Sequence, residues 1–312
     1  MVFLLPNIGI DVGSKFTKIA ILKKDKYKYY SLLTPDNCVN NGRILDVDKL
    51  ASSIKDFFKK NRIKGQLCFS LSCSDIIIRE IYMPRMSEAE LKNAVRFEAG
   101  KYIPMLSDDY IVDYKVLGEI DNGLRVLLVA CPRSTIDGYL NLAVKLRMKI
   151  KAVDIFPNAV IKAIKFFKFL TDDPMALIDM GHKYTKILIA ERGVYGFYRE
   201  IPFGSENVAL LLANKYNIDL NTADEKLTKG DYDIIQMDGF FDSLLREIDT
   251  VFNYYYTHFR KDISYIYLSG GLSNIKGLDG VIKDYFNIEI KYFSSEDMKC
   301  ILPALGAALR GC

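Results

Sequence analysis

Apolar residues recur along this chain with the two periods of regular secondary structure. Residues 8–22, IGIDVGSKFTKIAIL, hold two apolar runs broken by Asp11-Val12-Gly13-Ser14-Lys15. Apolar runs on both sides of a short polar break that carries glycine predict strand, turn and strand. Residues 176–190, ALIDMGHKYTKILIA, repeat the unit, with Asp11/Asp179, Gly13/Gly181, Lys15/Lys183, Thr17/Thr185, Lys18/Lys186 and Ile19/Ile187 identical. More than half the chain separates the copies, which points to two related halves; solenoid repeats recur every ~20–50 residues.

Between and after these hairpins the pattern alternates helix and strand. Residues 23–33 extend the first sheet. Leu50, Ile54, Phe57 and Phe58 mark a helix over 48–60, and 66–81 reads as strand. Ser87 with Glu90 forms a capping-box pattern, and Leu91, Ala94, Val95 and Tyr102 continue a helical face that Pro104 stops. Residues 113–117 and 124–132 predict a β-pair around Asp121-Asn122-Gly123, and 134–145 a further helix. Beyond it, helices are predicted over 153–169, 205–216, 240–259, 278–285 and 304–309, with strands over 265–269 and 288–293. The stripe Phe241, Leu244, Ile248, Val251, Tyr255 and Phe259 reads as core rather than as a cofactor box.

Composition narrows the classes. The 312 residues are 50% hydrophobic and 26% charged, enough for two lobes with cores of their own. The net charge of +4, from 43 basic and 39 acidic residues, is too balanced for a nucleic-acid binder. MVFLLPNIGI lacks a basic n-region and meets Asp11 early, and no apolar stretch reaches membrane-spanning length, so a cytoplasmic protein without direct membrane insertion is expected. The six cysteines form no C-x-x-C pair, and His182 and His258 have no metal-ligand spacing; a zinc site is not expected.

The candidate chemistry lies in the repeated turns. Gly13 and Gly181 allow tight turns whose amides can approach an oxyanion, while Asp11 and Asp179 project carboxylates toward a shared site. One carboxylate from each half suits Mg²⁺ bound through water to a nucleotide's phosphates. A third element, YIYLSGGLSNIKG, places Ser269-Gly270-Gly271 after a strand, and paired glycines let backbone lie against a base or sugar. No G-x-x-x-x-G-K-[ST] and no G-x-G-x-x-G occurs, which removes the P-loop and Rossmann alternatives.

D-x-G-S-x-x-x-K, D-x-G-x-x-x-T and S-G-G, in that order, resemble the phosphate 1, phosphate 2 and adenosine motifs of the actin and sugar-kinase superfamily. Within it, residues 81–104, IYMPRMSEAELKNAVRFEAGKYIP, and the ending PALGAALRG resemble the PilM-type proteins of type IV pilus assembly, relatives of FtsA. The resemblance covers almost the whole chain. It implies an α/β, actin-like ATPase fold with an FtsA/PilM-type 1C subdomain: first lobe 1–80, subdomain 1C 81–150, connecting helix 151–170, second lobe 171–205, subdomain 2B 206–260, the adenosine-motif part of the second lobe 261–287, and a return to the first lobe over 288–312.

It also implies roles. Asp11 and Asp179 would act on Mg²⁺ through water; Gly13, Ser14, Lys15, Thr17 and Lys18 would hold phosphates of ATP or ADP, met by Gly181, His182 and Thr185 from the other lobe. Gly270, Gly271 and Ser273 would flank the adenosine. For the ribose grip the family has an Ala-Glu pair followed by Lys; here Asp224 replaces Glu, and Glu225 and Lys226 are either that grip or a solvated helix face. No Gln or Glu stands where the superfamily orients attacking water, Asp154 and Asn158 being the nearest polar residues, so at most weak ATPase activity is expected. The implied partner is the N-terminal cytoplasmic segment of a PilN-like inner-membrane protein, which would hold the chain at the membrane's inner face; pilus motor ATPases are further candidates. The alternatives are a filament-forming actin homologue and a small-molecule kinase.

Overall fold

Strand pairing in the computed structural model, which describes residues 5–103, 109–121, 123–169, 172–232, 237 and 239–310, makes the duplication explicit. Of Glu296 and Asp297 only the backbone is described. Pro104, Asn122, Gly311 and Cys312 lie outside the described residues.

In the first half β1 (Asn7–Val12), β2 (Phe16–Lys23) and β3 (Lys26–Leu33) form an antiparallel meander. A ribbon, β4 (Val39–Asn40) and β5 (Arg43–Ile44), leads to α1 (Val47–Lys60), and β6 (Gln66–Leu71) returns parallel to β1. The chain then leaves this sheet for β7 (Ile77–Pro84), α2 (Glu88–Tyr102), β8 (Tyr110–Ile120) and β9 (Gly123–Pro132). It comes back through α3 (Arg133–Leu146) and β10 (Ile150–Ile155), parallel to β6. After α4 (Phe156–Phe166), the second half repeats the order. It runs through β11 (Met175–Met180), β12 (Thr185–Glu191), β13 (Val194–Ile201), α5 (Ser205–Tyr216), α6 (Leu220–Lys229), α7 (Asp242–Phe259), β14 (Tyr265–Ser269), α8 (Leu278–Phe286), β15 (Glu289–Lys291) and α9 (Glu296–Leu309). The sheets run β10-β6-β1-β2-β3 and β15-β14-β11-β12-β13, the same topology twice.

Strand alternation decides which side chains meet between the halves. On β2, Thr17 and Ile19 face the core under α1, while Lys18, Ala20 and Leu22 face the opposite side, where Ala20 and Leu22 pack on α9. β12 repeats this with Ile187 and Ile189 outward and Leu188 and Ala190 inward toward α4. Helices α4 and α9 therefore lie between the two sheets. Glycines let α9 approach both neighbours closely: a Cβ on Gly306 would stand 1.8 Å from the Ala159 carbonyl oxygen of α4, and one on Gly9 of β1 would stand 1.7 Å from that of Ala304.

The inserted sheet, ordered β7-β9-β8, carries its own small core with α2, in which Ile81, Met83, Leu91, Val95 and Leu128 are buried. The capping box of Ser87 and Glu90 is formed in both directions. Elsewhere the structure departs from the sequence reading. Residues 66–81 are two strands, not one, because Ser74 and Asp75 bend the chain and are tied to Asn41 and Arg43. Helix α3 packs beside α1, with Tyr139, Leu142 and Leu146 in the first sheet's core. Residues 153–155 end β10 rather than opening the connecting helix; α4 starts at Phe156 with Pro157 in its first turn, where a missing N–H leaves no acceptor unpaired. The final helix starts at Glu296, well before the expected residue 304, and runs through Pro303.

Candidate functional site

The uncovered ends of the two inner faces open on a cavity of about 620 Å³ between the halves. Asp11 and Asp179 are the last inward-facing residues of β1 and β11, and both are buried. In register they stand opposite Lys18 and Lys186 of the return strands. Lys18 Nζ lies 3.7 Å from Asp11. Burial alone would favour its neutral amine, but the Asp179 and Asp11 carboxylates outweigh that and push its pKa up. Lys18 is therefore a fixed cation shared by the two aspartates.

The turns between these strands are tight. A Cβ on Gly13 would come within 2.5 Å of the Phe16 carbonyl oxygen, and one on Gly181 within 2.9 Å of that of Tyr184. Thr34 holds the first turn, donating to the Gly13 carbonyl at 2.8 Å. The second is docked on the start of α5, where Ser205 N–H and Glu206 N–H donate to the Gly181 and His182 carbonyls at 3.0 and 2.9 Å.

Gly13, Ser14, Lys15, Lys18, Gly181, His182 and Gly271 line the cavity together with both aspartates. Thr17 and Thr185 do not. They occupy the outward period of their strands, fully buried, with Thr17 Oγ1 on Thr34 Oγ1 at 2.9 Å and Thr185 Oγ1 donating to the Phe203 carbonyl at 2.8 Å. Each ties its hairpin to a neighbouring loop. Glu225 and Lys226 also point away from the cavity, exposed on α6, and Glu225 meets Lys229 at 3.4 Å. With Ala223 and Leu227 buried, helical geometry turns Asp224 and Thr228 to the cleft instead. Lys15 reaches across from the first half to meet them, its Nζ 2.6 Å from each Asp224 carboxylate oxygen and 2.8 Å from Thr228 Oγ1. His182 donates or accepts through Nδ1 to Ser205 Oγ at 2.8 Å; burial and then the Lys15 ammonium lower its pKa, so it is neutral near pH 7.

Gly270, at φ +83°, lies against the Met180 backbone, and a Cβ there would come within 2.3 Å of its carbonyl oxygen. The Gly-Gly loop is anchored by the last helix. Pro303 has no N–H for the Lys299 carbonyl one turn back, and that carbonyl instead accepts from Ser269 Oγ and from Gly270 N–H. Ser269 Oγ also lies 3.2 Å from Asp179 Oδ1. Ser273 does not line the cleft: its hydroxyl closes on the Gly270 carbonyl at 2.7 Å and faces a separate groove with Lys276 and Lys291. Asp154 and Asn158 are turned from the cavity as well. Asp154, almost fully buried, pairs with Lys162 at 2.8 Å and Arg310 at 3.1 Å, and Asn158 donates to it.

Sequence reasoning also misses Ser72 and Glu200 among the residues that line the cavity. Glu200 and Tyr198 share the inward face of β13, and Ser72 follows β6; Ser72 Oγ and Tyr198 OH both donate to Glu200 Oε1 at 2.5 Å. The alternation of 194–201 could have flagged Glu200, but nothing local in sequence joins it to Ser72.

A hydrated divalent cation with a nucleotide fits this donor set only as a ternary arrangement. Among the described residues no group of three or more His, Cys, Asp and Glu could hold a metal ion. The two aspartates supply part of a shell and phosphates the rest. Ser70 Oγ, paired in register with Asp11 as Ser269 is with Asp179, is buried and finds no partner among the described residues. The two glycine turns, which line the cavity, leave backbone polar capacity for a phosphate-bearing ligand.

The structure is similar to solved actin-like proteins. It superposes on a chain of a PilM-PilN type IV pilus biogenesis complex with a TM-score of 0.86 at 22% identity, covering 98% of both chains. Ethanolamine utilization protein EutJ from Carboxydothermus hydrogenoformans gives 0.62 at 12% identity, over 97% of this chain and 88% of that one. MreB5 of Spiroplasma citri bound to ADP gives 0.55 at 14% identity, over 98% and 94%. These likenesses establish the actin-like ATPase fold. No described helix is long and apolar enough to cross a membrane. The sequence profile of the family described as type IV pilus assembly protein PilM matches residues 9–299, nearly the whole chain, which therefore belongs to that family.

Proposed function

We propose that this chain is a nucleotide-clasped scaffold of type IV pilus assembly that receives the N-terminal segment of a PilN-like inner-membrane protein. The observation that carries the reading is the pair of Asp-x-Gly hairpins facing each other across one cleft with Lys18 between the carboxylates. ATP or ADP is the ligand that such a cleft suits. Lys18 and Lys186 meet phosphate charge, the Gly13–Lys15 and Gly181–Lys183 turns bring backbone close to it, and Gly271, Leu272, Asn274 and Ile275 bound the remaining space for the nucleoside. Asp11 and Asp179 would hold Mg²⁺ through water, and the ion would neutralise phosphate charge between the lobes.

The inserted sheet supports the partner half of the reading. Its outer strands, β7 and β8, leave edges for an added strand, and Tyr82 on β7 and Phe97 on α2 are 65% and 77% exposed. The PilN of the matched complex is the partner class. Localisation at the inner face of the membrane follows through that partner. The test is titration with a labelled N-terminal peptide of a PilN-like protein, with and without Mg²⁺-ATP. Saturable binding supports the reading, and nucleotide-dependent affinity would couple cleft to insertion. No binding in either condition sinks the partner assignment, and ATP-dependent light scattering would then turn the reading to a filament.

A further inference from the structure

The cleft holds a hydroxyl already bonded to a carboxylate. Ser72 Oγ donates to Glu200 Oε1 at 2.5 Å, and Glu200 is held by a second donor, the half-buried Tyr198 OH, at 2.5 Å. Nucleophile, carboxylate and orienting group are within direct reach of one another. Both Ser72 and Glu200 line the cavity.

Strand register puts them at its phosphate end. Ser70 pairs with Asp11, and Ser72 lies two residues on, in the loop that leaves β6. Glu200 pairs with Lys186, which pairs with Asp179. The hydroxyl thus comes from the first half and the carboxylate from the second, each next to its own aspartate hairpin. The backbone at Ser72 is fixed: Gly42, at φ +67°, is packed so closely that a Cβ there would overlap the Ser72 carbonyl oxygen. Lys18 and Lys186 flank the site, cations of the kind that stabilise a transferring phosphoryl group.

We propose that Ser72 accepts the γ-phosphoryl group of ATP held in this cleft, with Glu200 as the general base; this rests on the nucleotide reading above. Ser72 Oγ forms a bond to the γ-phosphorus, and its proton passes to Glu200. The bond from the γ-phosphorus to the β–γ bridging oxygen breaks, and its electron pair leaves on ADP. The product is phosphoserine 72 on the loop that runs directly into β7, at the root of the inserted sheet. Atoms balance with ATP as the only co-reactant. The phosphoryl group would replace the Ser72–Glu200 bond with two anions facing each other, which separates the halves at this point.

Purified protein incubated with Mg²⁺ and γ-labelled ATP is digested and its phosphopeptides are read by mass spectrometry. Label on Ser72, in a fraction independent of protein concentration, is the expected result. Ser72→Ala loses it, Ser72→Thr carries phosphothreonine, and Glu200→Gln slows labelling about 10²-fold or more. A nucleotide-free readout accompanies it: melting of Ser72→Ala, Glu200→Gln and the double variant should be non-additive, as for bonded partners. Titration with a non-hydrolysable ATP analogue separates the two levels. Absent binding defeats the nucleotide reading itself. Binding with no label, with phosphate release but no label, with phosphate on Ser205 beside His182, or with additive melting shifts overturns the proposal.

Discussion

Replacing Asp224 by Asn tests whether the cleft mouth is latched. Lys15 Nζ sits 2.6 Å from both Asp224 oxygens, the two side chains being only 16% and 27% exposed. A hydrogen bond to a charged group in such a setting contributes about 1.5–3 kcal/mol. The remaining solvent access at Asp224 reduces this to about 1–2 kcal/mol. Lys15 stands in the phosphate-side turn, so a nucleotide that draws its ammonium must first break this pair. Removing the carboxylate while keeping its shape then returns the same energy to binding, about 5–30-fold in Kd. The assay is calorimetric titration of ADP with Mg²⁺ into wild type and Asp224→Asn at two salt concentrations, with urea unfolding of the ligand-free proteins alongside. Tighter binding in a variant that is itself less stable by a similar amount is the expected result. Unchanged or weaker binding would refute competition for Lys15 and make Asp224 a contact of the ligand.

Gly306→Ala should lose at least about 3 kcal/mol in urea unfolding or fail to fold, since its Cβ would meet the Ala159 backbone at 1.8 Å, whereas Gly271→Ala, with nothing within 4 Å, should unfold like wild type. Asp154→Ala should lower stability by about 2–4 kcal/mol, because Lys162, Arg310 and the Ile155 N–H all lose a partner; an unchanged denaturation midpoint would remove the network from the account. His182, held neutral by burial and by Lys15, binds its proton more weakly folded than unfolded. The unfolded chain therefore takes up more protons as pH falls through 6.5, and stability drops there. Melting temperatures measured from about pH 7.5 to about 5.5 should fall less steeply in His182→Asn.

The repeated hairpin was legible because both of its constraints are local: a strand period of two, and a turn that needs glycine. The same period, applied one step further, would have turned Thr17 and Thr185 away from the cleft, since each shares a face with the outward isoleucines. Identity in a repeat does not separate a ligand contact from a residue that braces the turn. On α6 the sequence offered Glu225 and Lys226, but helix rotation is fixed by burial of Ala223 and Leu227, and that depends on the neighbouring core. Ser72 and Glu200 were illegible for a different reason. They are separated by 128 positions, and only the stacking of the two sheets brings them to one bond. Helix α3 reads as part of the insertion by chain order, yet its apolar face matches α1 and places it on the first sheet.

Helix α9 also sets when the two lobes can close during synthesis. Asn7, on the first strand, donates its side-chain amide to the carbonyl of Ala308, 301 positions later. The inward faces of β1 and β2 are covered chiefly by α9, with Phe166 and Phe167 beside it. At roughly 5–20 residues per second, the β1–β2 hairpin would wait on the order of 15–60 s on the ribosome with Ala20 and Leu22 uncovered by α9. Contacts this distant in sequence also slow the search for the native state. A ribosome stalled before α9 would therefore leave a first lobe without one wall and a second lobe whose Gly-Gly loop has lost its Lys299 anchor. Neither lobe is sealed until α9 has emerged.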